Sequence, residues 1–273
     1  MQDKEQAYAK ATFDEVANNY DEIPFFKISA RYVAEIINTH KDDDTLEILD
    51  VACGTGNVVL ECASCISRAH FDAMDISEGM LAKAQGNARR KNLTNIDFQL
   101  QDITKLTVDK KYDVITCSYA LFFLPDAPKV LKTLVSLLKA EGIVIFTSFQ
   151  KNAFSPSSEI FLSLLRDYGS PSAKEYDMDK WENLKCVEDI EHLCNLAGVK
   201  NLQIEAEEIR YSMSVDEWWE LHNNTGYKGM LMELSLEDYE RVKTEYYEAM
   251  FKHCDMDGEV ELIADSYFVV VKN

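Results

Sequence analysis

The residues best suited to chemistry start at a glycine-bearing turn, Asp50-Val51-Ala52-Cys53-Gly54-Thr55-Gly56. Two glycines let the backbone pass close to a ligand. A helix opening at Asn57 would add free N–H groups and the positive end of its dipole. A dinucleotide fingerprint needs a third glycine for close helix packing, and the position that would carry it is Val59. The loop therefore argues against a pyrophosphate, and so against a nicotinamide-dependent oxidoreductase. Asp50 beside it suits a ligand that carries an ammonium group. Asp75 follows at the end of a second apolar run, where a carboxylate can accept hydrogen bonds from both hydroxyls of a ribose. Ile76 next to it can cover an adenine face. Asp102, in Gln101-Asp102-Ile103, can accept the exocyclic amine of that base, although an Asp at a strand end also caps the turn that follows. Ser118 and Tyr119 close a fourth apolar run, where the reactive part of a ligand would lie.

Short β-rich runs alternating with helical patterns must position these residues. The runs 47–53, 70–76, 96–103, 112–119 and 142–149 read as strands, with helices at 31–40, after Asn57, through Met80, Leu81 and Ala84, and at Pro128–Lys139. This cadence predicts an α/β fold, a doubly wound and mostly parallel sheet with helices on both faces. Two later runs, 201–212 and 260–271, bring the sheet to seven strands. Between them Val215–Cys254 is acidic, rich in Trp and Tyr, and helical in pattern. Residues 152–186 and 214–258 read as insertions over the carboxyl edge of the sheet, where open α/β sheets bind ligands.

The whole chain has 273 residues and a formal net charge of −20, which disfavours nucleic acid and anionic membrane surfaces as partners. No basic-then-apolar leader opens the chain, and the longest nearly apolar run is too short to span a bilayer. A cytoplasmic protein with reduced thiols is expected, since its 7 Cys follow no regular spacing. Cys62 and Cys65 lie inside a helix rather than at its start, and Cys186, His192 and Cys194 match no familiar ligand spacing, so no metal is expected.

Taken in order, DVACGTG, AMDIS-EGML, QDI, YDVITCSYALFFL and LLKAEGIVIF resemble a class I S-adenosylmethionine-dependent methyltransferase. More narrowly, the chain resembles the small-molecule group that includes ubiquinone/menaquinone-biosynthesis type enzymes, whose Phe-x-x-x-Ala-x-x-Tyr-Asp opening is matched from Phe13 to Asp21. The resemblance covers about residues 10–150 and implies a Rossmann-like fold. It implies that Asp50, Ala52, Gly54 and Gly56 line the methionine part of the cofactor, and Asp75 and Ile76 its ribose and adenine. Asp102 and Ile103 would hold the adenine, Ser118 would face the methionyl portion, and Tyr20 would close a helical lid formed by residues 1–40. Ala52 departs from the family, which usually has Gly there.

Methyl transfer is an in-line displacement, so a base is needed only for a protonated acceptor. His222, one helical turn from Trp218, is the base candidate, and Tyr119 at the switch point is the second candidate catalytic residue. Trp181, Trp218, Trp219, Tyr227, Tyr246 and Tyr247 could wall an acceptor pocket. The expected activity is methyl transfer to a small molecule by a monomer or homodimer. A regulatory protein that binds the cofactor without turnover, a protein methyltransferase and a thiol-dependent arsenite methyltransferase are the other readings.

Overall fold

Five strands in the first part of the chain run parallel: β1 (Glu47–Val51), β2 (His70–Asp75), β3 (Ile96–Leu100), β4 (Tyr112–Ser118) and β5 (Leu138–Phe149). The structure, a computed structural model, describes residues 2–40, 45–66 and 68–272. Four strands follow: β6 (Asn201–Glu207), β7 (Arg210–Ser214), β8 (Glu259–Ile263) and β9 (Ser266–Lys272). The main sheet has the order β3-β2-β1-β4-β5-β9-β6, with β9 antiparallel to both of its neighbours. The seven-stranded, mostly parallel arrangement expected from the sequence is therefore present.

Helices α1 (Gln2–Val16), α2 (Pro24–His40), α3 (Asn57–Cys65), α4 (Glu78–Arg90) and α5 (Ala127–Ser136) belong to the amino-terminal half. Then come α6 (Ser157–Asp167), α7 (Pro171–Glu175), α8 (Val187–Ala197), α9 (Val215–Asn223), α10 (Lys228–Leu231) and α11 (Leu236–Met250). Alternation along the strands feeds two cores. Ile48, Phe71, Val114 and Ile145 face one side and pack with Val33 and Ile37 of α2 and Val59 of α3. Leu49, Ile115, Val144 and Phe146 face the other and pack with Leu131 and Leu134 of α5 and Leu193 of α8. Side chains buried on both faces explain why these strands read as continuous apolar runs.

Two late strands are each broken where the sequence suggested one. The runs 201–212 and 260–271 leave the main sheet together and continue as the separate β7–β8 ribbon. The break is fixed by Asp265, buried between the segments. Its carboxylate accepts the Ile209 backbone N–H at 3.1 Å and the Arg210 guanidinium at 2.6 Å, while its carbonyl accepts Gln150 N–H at 2.8 Å. The helical pattern of 215–254 likewise divides into α9, α10 and α11. Asn224 ends α9, and the Ser235 hydroxyl caps α11 by accepting Asp238 N–H at 3.1 Å. With α6 and the β7–β8 ribbon these helices form a third core over the carboxyl edge, which includes Trp218, Trp219 and Tyr246.

Candidate functional site

Residues at or just beyond the carboxyl ends of the parallel strands line a crevice of adjoining chambers. After β1 the chain turns through Ala52 and Gly54, both with positive φ (52° and 57°), before Gly56 opens α3 at φ 87°. The left-handed backbone at position 52 explains why glycine would be favoured there; Ala52 takes it with a strained backbone. Gly56 does not reach the crevice. A Cβ there would sit 3.3 Å from Ala84 and Leu60, so this glycine serves the close packing of α3 and α4.

At the end of β2, the Asp75 carboxylate accepts Gly54 N–H on one oxygen and Ser77 N–H on the other, both at 2.8 Å. It thus ties the glycine loop to the next strand and keeps lone pairs for a ligand's hydroxyls. Burial pushes its pKa up, against the pull of those backbone donors. Asp50 is buried at the end of β1, with one oxygen accepting the Thr116 hydroxyl at 2.7 Å and Oδ2 without a hydrogen-bonding partner. Burial raises its pKa to about 7, against the pull of the Thr116 hydroxyl and the Val59 backbone N–H, with Asp75 adding repulsion. Ser118 Oγ is also buried without a partner. Buried polar atoms left in this state are costly unless a ligand completes them. Asp102 behaves as a cap: one oxygen accepts Thr104 N–H at 2.9 Å and the Thr104 hydroxyl at 2.7 Å.

Three chambers meet over the strand ends. The first is lined by Gly54, Asp75, Ile76, Asp102, Ile103 and Ser118, and α1 covers it with Gln6, Ala9 and Phe13. A narrow second chamber holds Asp50, Ala52, Gly54 and Ser118. The third is aromatic, walled by Phe25, Phe26, Phe122, Phe149, Phe154 and Tyr227. Tyr20 and Tyr119 line all three. Tyr119 is held rigidly: its ring stacks on Phe149 at 4.3 Å, and its hydroxyl meets Ser266 Oγ at 2.9 Å. Burial lifts its pKa to about 12, so it keeps its proton at neutral pH. Tyr20, half-buried, has its pKa pushed far up by desolvation and by the neighbouring Asp75.

The structure does not bring His222 into any chamber. It is fully buried in the cap, stacked on Phe161 at 4.2 Å, with Nε2 2.7 Å from Ser157 Oγ, which in turn lies 2.5 Å from Tyr246 Oη. Burial drives its pKa down to about 3, so the ring is neutral and packed rather than poised over a ligand. Trp218, Trp219 and Tyr246 are core residues too, and the Trp218 indole N–H donates to Val260 O at 3.2 Å. Trp181 packs edge-on against His192 at 4.8 Å. Of the six aromatics expected at an acceptor pocket, Tyr227 alone lines the aromatic chamber. The phenylalanines that form it follow β4 and β5 directly or lie on α2. Their position at carboxyl ends of strands was the available signal, while aromatic clustering pointed to the cap core instead. All seven cysteines are free, with Cys62 and Cys194 buried. Among the described residues, a grouping with metal-ligand composition, His70, Asp72 and Asp97, lies at the opposite, amino ends of β2 and β3. Lys110 and the Tyr112 hydroxyl already occupy its Asp72 carboxylate. No described helix is long and apolar enough to cross a membrane.

Comparison with known proteins agrees with this architecture. A malonyl-[acyl-carrier protein] O-methyltransferase from Bacillus anthracis is 28% identical over 146 residues, covering 52% of each chain. A ubiquinone biosynthesis O-methyltransferase from Coxiella burnetii is 35% identical over 106 residues, 38% of this chain and 44% of that one. The chain thus spans about half the length of the curated relatives it matches. Among solved structures, the plantazolicin methyltransferase BpumL in complex with SAH superposes with a TM-score of 0.56 at 15% identity, covering 98% of this chain and 95% of that one. Haemonchus contortus phosphoethanolamine N-methyltransferase 2 gives 0.54 at 16% identity, over 89% of this chain and 52% of that one. At such identities the likeness establishes the fold. Residues 42–216 match the methyltransferase domain family, and the chain belongs to it.

Proposed function

We propose that the chain transfers a methyl group from S-adenosylmethionine to a small molecule held in the aromatic chamber. The observation that carries this reading is the shared wall: Tyr20 and Tyr119 border the two chambers that together would take the cofactor and the aromatic one. A reacting atom at that junction could face a ligand from either side. The residues present fit the cofactor. Asp50 Oδ2 and Ser118 Oγ are buried and lack partners, as an ammonium-bearing amino acid would require. Asp75 would hold the ribose hydroxyls, with Ile76 and Ile103 against the adenine.

S-adenosylmethionine supplies an activated methyl group, so the protein's share is alignment and exclusion of water. Phe13, Tyr20 and Phe26 would close the junction from the amino-terminal side. We read the segment before α2 as the lid, and residues 152–186 and 214–258 as a cap that shapes acceptor entry. Tyr119 keeps its proton, so it would position the acceptor rather than deprotonate it. Transfer from a sulfonium requires no Lewis acid, and no step here is assigned to a metal. The net charge of −20 fits a cytoplasmic enzyme whose acceptor is neither nucleic acid nor membrane surface.

The test is incubation with methyl-deuterated S-adenosylmethionine and a fractionated cell extract. Label should enter the low-mass fraction and vanish with Asp75→Ala. Label confined to protein, or none above the blank, would overturn the reading.

A further inference from the structure

The aromatic chamber contains one departure from its chemistry. Lys185 is the sole charged side chain lining it, among the described residues. It lines neither of the two chambers assigned to the cofactor. No carboxylate of the described residues forms an ion pair or hydrogen bond with its ammonium. Glu159 and Asp179 attract it at longer range, Lys151 repels it, and partial burial lowers its pKa. A half-buried, unpaired ammonium in an apolar chamber is costly unless something anionic completes it.

The backbone places it there at a cost. Leu184, fully buried, occupies the left-handed region at φ 54° and ψ 43°, a conformation that β-carbon sterics disfavour. The Ser148 hydroxyl on β5 donates to the Leu184 carbonyl at 2.8 Å and holds the turn. Ser148 is itself buried beside Phe149, which lines the chamber. Strain retained next to a lone cation in a cavity points to a positioned group rather than a stray surface lysine.

We infer that Lys185 is the acceptor-recognition residue and that the acceptor is an apolar or aromatic molecule bearing an anionic oxygen group, a carboxylate in the first instance. This inference rests on the methyl-transfer reading. There, a cationic donor on one side of the junction and an ammonium in the acceptor chamber both attract an anion between them. The wider acidic character of the cap would disfavour such a ligand at long range. Inside the chamber, however, the nearest unpaired charge is positive and partly shielded from water, and that contact dominates over screened surface charges.

The test is ligand-observed NMR on the full chain loaded with S-adenosylhomocysteine. It uses a matched library of arylacetic and medium-chain fatty acids, their primary amides and the corresponding amines. Acids should be enriched among binders and bind about tenfold or more tighter than their amides. Lys185→Gln should abolish that preference and Lys185→Arg should keep it. Both variants should bind S-adenosylhomocysteine with wild-type affinity, which also shows that they are folded. Absence of acid enrichment in the wild type, or enrichment that survives Lys185→Gln, would overturn the inference. A wild-type chain that fails to bind S-adenosylhomocysteine would instead count against the methyl-transfer reading, and acid preference would then be scored on the unloaded chain.

Discussion

Asp50 carries the sharpest consequence at the residue scale. With a pKa of about 7 in the free protein, it is partly protonated at neutral pH. Pairing with an ammonium requires the carboxylate, so cofactor binding should release a proton below pH 7. Affinity should therefore rise as pH increases toward 7 and then level off. Titration calorimetry in two buffers of different ionisation enthalpy measures that release directly; buffer-independent heats at pH 6 would exclude it. Stability runs the other way. Because the folded pKa lies above the ordinary carboxylate value, this group stabilises the fold fully below about pH 4 and loses that contribution as pH rises to about 7. Asp50→Asn should thus melt higher than the wild type at pH 8 while binding the cofactor more weakly. Asp75 is expected to matter doubly, since it holds Gly54 as well as a ligand. Asp75→Ala should lose roughly tenfold or more in cofactor affinity, from charge-assisted bonds worth about 1.5–3 kcal/mol each. Unchanged calorimetric affinity in a folded variant would remove Asp75 from the site. That Asp50, Asp75 and Ser118 border the crevice was legible in the sequence because each lies at the end of a buried strand. The place of Lys185 in the chamber wall was not, because a lone lysine in a polar stretch gives no periodic or spacing signal. His222 misled for the converse reason: four-residue spacing from Trp218 reports a shared helix face, and that face turns into the cap core.

Among the elements, α1 has the character of a docked segment rather than a core helix. Its polar anchor is Asp14, whose carboxylate accepts the Ser77 hydroxyl at 2.5 Å and Gly79 N–H at 3.0 Å at the start of α4. Its buried apolar contact is a small cluster of Val16, Ala17 and Met80. Tyr8 and Thr12 also lie against Gly229 of α10 and Phe13 against Phe123, so opening would release side-chain contacts rather than a strand pairing, and a ligand beneath would add surface. Amides of residues 8–26 are expected to exchange fast in the free protein and slow when S-adenosylhomocysteine is added. Asp14→Ala should reduce that protection without touching the residues that line the chambers. Equal, strong protection with and without ligand would make the segment permanent scaffold. In the cap, the depressed pKa of His222 gives a pH signature. The unfolded chain binds this proton below about 6.5 and the folded chain only near 3, so the stabilisation is complete above 6.5 and lost as pH falls between the two. His222→Gln should melt with less acid sensitivity than the wild type between pH 7 and 5, and it should transfer methyl groups at a rate close to wild type. A large loss of turnover in a folded His222→Gln would restore a catalytic role. The helix-to-helix breaks of the cap were hidden because Asn223 to Gly226 interrupts an otherwise continuous amphipathic pattern only briefly. The shared break in the two late strands depends on Asp265 meeting Ile209 and Arg210, a long-range contact that local periodicity cannot carry.

Across the whole molecule, the parallel half supplies the floor of the two chambers proposed for the cofactor, and α2, the ends of β4 and β5 and parts of the late segments together wall an aromatic chamber, joined to them at Tyr20 and Tyr119. The floor was readable because strands buried on both faces and a glycine turn leave strong local patterns. The chamber was not, since its walls come from α2, the ends of β4 and β5, and α10, which only the fold brings together. The position of a bound cofactor's sulfur therefore tests the arrangement most directly. A crystal structure with S-adenosylhomocysteine should place the ribose hydroxyls on Asp75, the amino group on Asp50, and the sulfur at the Tyr20–Tyr119 junction with an open line to Phe149 and Phe154. A sulfur turned away from the aromatic chamber, or closed off from it by packed side chains, would contradict methyl transfer to an acceptor held there.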